Sequence, residues 1–341
     1  KNKYFIFNNY IFILFLIYYA YLILSSILIA GNNDSLLRSL GIIRYLLLSF
    51  SIAYIIKNTN QKKILYFWGI IFLIVSLDIL YEYILGENVL GYKSGYHGRI
   101  ASFTGDELKI GGYYFGFISL SILFIKNKNI KFTFLLAIIF LIIALLIGER
   151  SNFIKIFLSV TIFTAIVIKI DFRLKILSLV FTLLTFFILT NFNDSYKTRY
   201  LDQLETLFSV NGYKNYLMES QYGAHRDAAF KIFEANKYFG VGIKNFRNEV
   251  GKEKFKNENY LKTETRISTH PHQIHYEFLS ETGIFGYFCF CVFFIFSIFF
   301  SIKNYLKTKN LYQLSGIIFV IVSLLPILPT GSFLSTFTSS I

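Results

Sequence analysis

Long apolar runs joined by short polar links set the pattern of this chain. A helix needs about 20 mostly apolar residues to cross the hydrocarbon core of a bilayer. Runs of that kind cover residues 10–29, 36–56, 64–85, 110–125, 132–147, 153–168, 176–190, 276–302 and 311–328. The pattern predicts an all-α integral membrane protein with nine spans, the shorter ones ending in protein-lined or interfacial surroundings. The first run is rich in Tyr and Phe and has no clear small-residue cleavage site, so it reads as a span rather than a removable signal. One long stretch is polar and highly charged. Within residues 191–275, Arg226, Ala229, Phe230 and Phe233 recur at helical spacing in HRDAAFKIFEANKYFG, and Gly240 and Gly242 then break the period. The expected division is 1–190 as a bundle of seven spans, 191–275 as one large, partly helical loop, and 276–341 as two further spans with a C-terminal segment. The start at Lys1 without an initiator Met reads as a fragment or a processed form.

Basic residues then orient the runs. Lys57, Lys62 and Lys63, then Lys126, Lys128 and Lys131, then Lys169, Arg173 and Lys175, then Lys303, Lys307 and Lys309 occupy every second connection, opposed only by Asp171. Lys and Arg accumulate on the cytoplasmic side of short loops. Starting from a cytoplasmic Lys1 and Lys3, the connections at 31–35, 86–109, 148–151 and 191–275 therefore face the other side.

Composition agrees with this picture and removes others. Of 341 residues, 55% are hydrophobic and only 16% charged, where soluble domains carry about 25% charge. The 34 Lys and Arg against 20 Asp and Glu give a net charge of +14, which the cytoplasmic loops largely absorb, so no nucleic acid is needed to explain it. Cys289 and Cys291 exclude a disulfide framework and a cysteine-based zinc site, and they read as packed thiols.

Three outward sites carry candidate chemistry. In LLIGERSNF, Arg150 sits at the outer end of a helical hairpin, where Ser151 or Asn152 can cap the next helix and its amides suit an anion. Arginine offers phosphate oxygens a planar fork of donors, while the plainer reading pairs Arg150 with Glu149 or with lipid headgroups. In YGAHRDAAF, Arg226 either points to the membrane surface or pairs with Asp227 or Glu219. His225 beside it lies on a different helical face. In THPHQIHYEFLSETGIFGYF stand His270, His272 and His275, whose spacing is not that of a helical zinc site. A single histidine there suits a general base or a phosphate partner. Glu281 follows, buried against a cation or interfacial, and Gly283 with Gly286 permits close helix packing. Asp78 and Glu82 share one face of the third span, either as functional carboxylates or as counter-ions for Arg38, Arg44 or Arg99. Arg44 and Arg99 together suggest a basic cavity open to the outer face.

The order GERSNF, AHRDAAFKIFEANKYFGVGIKNF and THPHQIHYEFLSETGIFGYF, closed by LLPILPTGSFLS, resembles the O-antigen ligase and O-antigen polymerase superfamily of bacterial envelope glycosyltransferases. The resemblance is strongest over about 147–288. It implies a GT-C-like, metal-independent and cofactor-free enzyme of the bacterial inner membrane. Such an enzyme moves a glycan from undecaprenyl diphosphate to an acceptor hydroxyl at the periplasmic face, with inversion. The acceptor is lipid A–core in a ligase and a second lipid-linked glycan in a polymerase; the short chain with one long loop favours the ligase. By that resemblance the catalytic residues are Arg150, Arg226 and His272, with Arg44, Arg99, His275 and Glu281 in contact with substrate. Relatives have Asn where Gln273 stands, which leaves His272 and His275 both in play, His272 favoured. A transporter is the remaining class. It predicts Gly/Pro-broken spans and an inverted repeat, but the prolines are Pro271, Pro326 and Pro329 and no repeat is visible.

Overall fold

The computed structural model describes residues 10–107, 109–126, 130–167, 171–202, 205 and 208–333. The predicted topology markers Lys1, Lys3, Lys128 and Lys169, and the tail 334–341, lie outside the described residues. Among the described residues every regular element is helical. The main helices are α1 (Tyr10–Ser25), α2 (Asn33–Gly41), α3 (Ile43–Asn58), α4 (Gln61–Leu85), α5 (Ile110–Lys126) and α6 (Ile130–Leu146). They continue with α7 (Arg150–Val167), α8 (Phe172–Phe192), α9 (Gly212–Glu219), α10 (Gln221–Ala235), α11 (Ile274–Thr308) and α12 (Leu311–Ser323).

Among the described residues five stretches are long and apolar enough to cross a membrane: Tyr10–Ala30, Asn33–Asn58, Gln61–Leu85, Arg150–Val167 and Ile274–Thr308. Ile110–Leu123, Lys131–Leu146, Val180–Phe192 and Leu311–Ser323 are shorter apolar helices. These nine fall on the nine predicted runs, an arrangement consistent with a multi-pass membrane protein. Two boundaries differ. The second run is split at Gly41 and Ile42 into α2 and α3. The last stops at Ser323, because Pro326 and Pro329 lack the N–H a continuing helix requires.

The chain divides into two units. The first holds Lys1–Tyr54, Leu207–Lys303 and Leu324–Ile341; the second holds Ile55–Thr206 and Asn304–Ser323. In the second unit α4, α5, α6, α7 and α12 pack together. Phe72 of α4 meets Tyr114 of α5 at 4.3 Å and Phe140 of α6 at 4.9 Å between ring centroids, and all three are buried. The Tyr114 hydroxyl and the Ser76 hydroxyl lie 3.0 Å apart, so this apolar core leaves neither polar group unmatched.

Asp78 and Glu82 of α4 are buried, and among the described residues neither pairs with an arginine. Glu82 accepts the Ala101 and Ser102 amides at 2.9 and 2.6 Å. Asp78 accepts the Val89 amide at 3.0 Å and the Ser102 hydroxyl at 2.6 Å. The expected counter-ion role is therefore corrected. These carboxylates satisfy the backbone of the loop after α4, where no ladder does so.

In the first unit, Tyr18 and Leu22 of α1 pack on Ile243, Ile274, Phe278 and Phe290. A second cluster inside the loop joins Ala228, Ala229 and Ile232 of α10 to Val241, Phe246, Val250 and Phe255. Helix α10 carries the expected Arg226–Phe233 period but starts earlier, at Gln221, with Ser220 accepting the Gly223 amide at 3.0 Å as cap. Helix α11 is kinked at Gly283, which has φ 64° and ψ −169°. The freed groups are taken up by residues 237–242: Ile284 N–H reaches Lys237 O at 2.8 Å, and Gly242 N–H reaches Glu281 O at 2.8 Å. Gly283 thus makes a break rather than a flat packing face, whereas Gly286 does lie in close contact with the Thr282 and Tyr21 side chains.

Glu82→Gln sets an amide donor against one of two buried N–H groups. It should cost about 1–3 kcal/mol, seen as a lower melting temperature in detergent and faster proteolysis of residues 86–105. Unchanged melting and proteolysis would refute the anchoring role.

Candidate functional site

The second unit places a basic turn between α6 and α7. Gly148 adopts φ 75°, and a Cβ there would collide with the Gly98 carbonyl oxygen, so only glycine lets the loop carrying Arg99 reach this turn. The contact is closed by the Ile100 amide on Ile147 O at 3.1 Å. Helix α7 begins at Arg150 itself. Asn152 turns back to donate to Glu149 instead of serving as a cap. Glu149 pairs with Arg99 at 3.1 Å and also accepts the Gly111 amide at 3.3 Å. Its carboxylate is thus engaged with Arg99, and Arg150 donates to the Arg199 carbonyl at 2.9 Å with no carboxylate partner among the described residues. An unpaired guanidinium at a helix N-terminus is suited to an anion.

In the first unit the histidines that gather are His225, His270 and His272, a different set from the three of the sequence motif. Fully buried His225 of α10 donates from Nε2 to the Thr265 carbonyl at 2.8 Å. Its ring stacks on His272 at 5.0 Å between centroids and 19° between planes, and His270 meets the other ring at 4.0 Å. Tyr222 lies edge-on to His272 at 5.7 Å. Burial, then the neighbouring His270 and His225, pushes the His272 imidazole down to about 3. Burial, then His225 and Arg247, pushes His270 down to about 4, and burial lowers His225 against the opposing Thr265 bond. The cluster is therefore neutral at pH 7, with His225 Nδ1 and His270 Nε2 buried and unbonded. Among the described residues no group of three or more His, Cys, Asp or Glu has the geometry to hold a metal ion.

Residues 324–333, leading out of α12, bind this loop through several of its motif side chains. His275 Nε2 donates to Leu324 O at 2.9 Å while its Nδ1 accepts the Tyr287 hydroxyl at 2.9 Å. Gln273 donates to Pro326 O at 2.9 Å and accepts the Tyr276 amide at 2.9 Å, which caps α11. Arg226 donates to Ile327 O at 3.1 Å. The Thr330 amide donates to His272 O at 2.9 Å, holding His272 at φ 53°, a left-handed conformation rare for a side chain of this kind. Asp227 pairs with Lys231 at 3.6 Å and accepts Asn257 at 2.9 Å, so Arg226 has no carboxylate partner among the described residues.

The remaining expected contacts are placed as follows. Glu281 is buried, and its Oε1 faces the Phe246 amide at 3.4 Å, directed into the protein rather than toward an open site. Arg44 is exposed on α3, bonded to the adjacent Tyr45 hydroxyl at 2.9 Å with its guanidinium over that ring. Arg99 reaches the Gly148–Arg150 turn by pairing with Glu149, and Arg226 and the His272 carbonyl both bond residues 324–333. Sequence reading missed His225, buried by a fold it could not show, and Arg199, which no motif marks.

Helices among the described residues, apolar spans, a basic hairpin turn and a polar loop rich in arginine and histidine define the chain as a multi-pass membrane protein. The family described as O-Antigen ligase matches residues 134–291, and these residues form an O-antigen ligase domain. The match runs from α6 through the Gly148–Arg150 turn and the whole loop into α11. Ligases of that family are glycosyltransferase-like enzymes, and the family implies lipid-linked glycan substrates. No curated protein matches the chain.

Each folded imidazole of the cluster takes its proton at lower pH than in the unfolded chain, whose histidines titrate near about 6.5. The unfolded state thus binds more protons as pH falls through that window, and stability falls with it. The melting temperature in detergent should be lower at pH 5 than at pH 7, and His225→Gln should narrow the difference. An equal melting temperature at both values would contradict the buried neutral cluster.

Proposed function

We propose that this protein is an O-antigen ligase-like glycosyltransferase. It moves a glycan from undecaprenyl diphosphate to a hydroxyl of lipid A–core at the periplasmic face of the inner membrane. The family match supports the reaction class. The alternation of lysine-rich links supports the facing of the loop, since Arg150, Arg226 and His272 all fall in connections opposite to them.

Cleaving the anomeric C–O bond to a diphosphate leaves negative charge on the departing oxygens, which fixed cations stabilise. Arg150 and Arg226 are assigned to that charge. What carries the assignment is that the nearest acids, Glu149 and Asp227, are already engaged with Arg99 and with Lys231 and Asn257. The acceptor hydroxyl attacks the anomeric carbon from the opposite side, its proton passes to His272, and the diphosphate leaves, so the anomeric centre inverts. His272 is preferred over His275 because both nitrogens of His275 are held by Leu324 O and Tyr287. Arg99 supports the site by holding Glu149 away from Arg150.

Membrane vesicles supplied with lipid-linked glycan should lose transfer by about 100-fold or more in Arg150→Ala and His272→Ala, within the usual range of general-base and charge-stabilising effects. In cells the same variants should accumulate lipid-linked polymer, as a lost ligase does. A single repeat unit on lipid A–core would instead identify a polymerase, and full transfer by both variants would overturn the residue assignment.

A further inference from the structure

We propose that Arg199 is a second phosphate-binding guanidinium at this turn, forming with Arg150 an anion cradle that lies wholly within the second unit. The inference rests on the reading that Arg150 meets the diphosphate of the donor, and it names a residue that reading does not contain.

Arg199 lies in the short π-helical turn Lys197–Leu201 that follows α8. Its position is fixed from both sides. The Tyr196 hydroxyl donates to Leu146 O, and the Tyr200 hydroxyl donates to Leu145 O at 3.0 Å, so two buried tyrosines tie this turn to the last carbonyls of α6. Those carbonyls are among the ones a helix end leaves without partners. The turn then locks onto the Gly148–Arg150 link reciprocally. Arg199 Nε donates to Gly148 O at 2.8 Å, and Arg150 donates to Arg199 O at 2.9 Å. A Cβ at Gly98 would approach the Arg199 side chain to 2.8 Å, so the loop carrying Arg99 passes directly against it.

Three arginines thus converge on one link, and Glu149, bonded to Arg99, is the carboxylate among them. Arg199 is held partly buried beside like charges; burial, then Arg150, then Arg99 lower its hold on its proton. Crowded cations repel one another, and a polyanion relieves that repulsion. The Nε bond to Gly148 aims the guanidinium, and its two outer nitrogens carry no hydrogen bond to a described residue. Arg150 likewise has donors left beyond its bond to Arg199 O. Two forks braced by each other's backbone can each engage one phosphate of a P–O–P group, which offers more oxygens and more negative charge to the pair than a single phosphate does.

The test uses the full chain in detergent with inorganic pyrophosphate as probe and orthophosphate as control. Wild type should bind pyrophosphate more tightly than orthophosphate. Arg199→Gln should weaken pyrophosphate about tenfold, toward the orthophosphate value, and raise KM for the lipid-linked donor more than it lowers kcat. Arg199→Lys should recover part of both. If Arg199→Gln lowers the melting temperature while pyrophosphate affinity and donor KM stay at wild-type values, Arg199 only props Gly148 and the proposal fails. Should Arg199→Gln not fold, Arg199→Lys decides: pyrophosphate affinity unchanged from wild type overturns the cradle. Failure of the underlying reading looks different, since Arg150→Ala would then bind pyrophosphate and transfer glycan normally.

Discussion

A chain this apolar must find a partner for every backbone N–H and C=O that its helices release where they stop or break. That constraint organises much of what is polar here. The carboxylates of Asp78 and Glu82 receive the amides of Val89, Ala101 and Ser102. The kink at Gly283 is closed by residues 237–242. The carbonyls of Leu324, Pro326 and Ile327 are taken by His275, Gln273 and Arg226. Side chains that look like a set of reactive groups in the sequence divide, on this criterion, into those consumed by the backbone and those left with capacity for a substrate. His275 has none left. Arg226, with five donors and one bond, has most of its capacity.

Charge is sorted in a parallel way. A guanidinium paired with a buried carboxylate is largely neutralised toward any ligand, whereas one bonded only to a peptide carbonyl keeps its full charge and gains a fixed direction. Arg99 is of the first kind and Arg150, Arg199 and Arg226 are of the second. Glu149 makes the distinction inside the GER motif. Being adjacent to Arg150, it looks like that residue's partner, yet it pairs with Arg99 while Arg150 donates to the Arg199 carbonyl.

The apolar helices were legible from periodicity and length alone, because the physics that sets them is local and one-dimensional. The existence of α10 was legible for the same reason, though it ends at Ala235 rather than at the glycines 240 and 242. What was not legible depends on contacts between distant segments. Arg199 stands in SYKTRYLDQL with no spacing or composition to mark it, and its significance comes from a turn about fifty residues earlier in the chain. Sequence spacing places His225 only on a different face from Arg226, and its full burial comes from the way the loop folds. The carboxylates of α4 were recognised as costly, which is a local judgement. That their partners are amides rather than arginines is a property of the loop's path. The prolines at 326 and 329 could have signalled the end of α12, but the hydropathy of the run outweighed them.

The neutral histidine cluster places a condition on the chemistry proposed for it. An imidazole pushed down to about 3 is a weak base toward a sugar hydroxyl when the site holds no anion. The causes of that depression are burial and two neighbouring rings, and none of them is a fixed positive charge, so an arriving anion opposes them directly. A diphosphate whose charge is only partly matched by arginine would raise the proton affinity of His272, because the ring would then protonate beside negative charge rather than beside other imidazoles. Base strength would rise as the donor is bound and the leaving group develops charge, and not before. On the proposed reading of His272 as the base, such coupling would favour attack on a bound glycan over idle protonation of the loop.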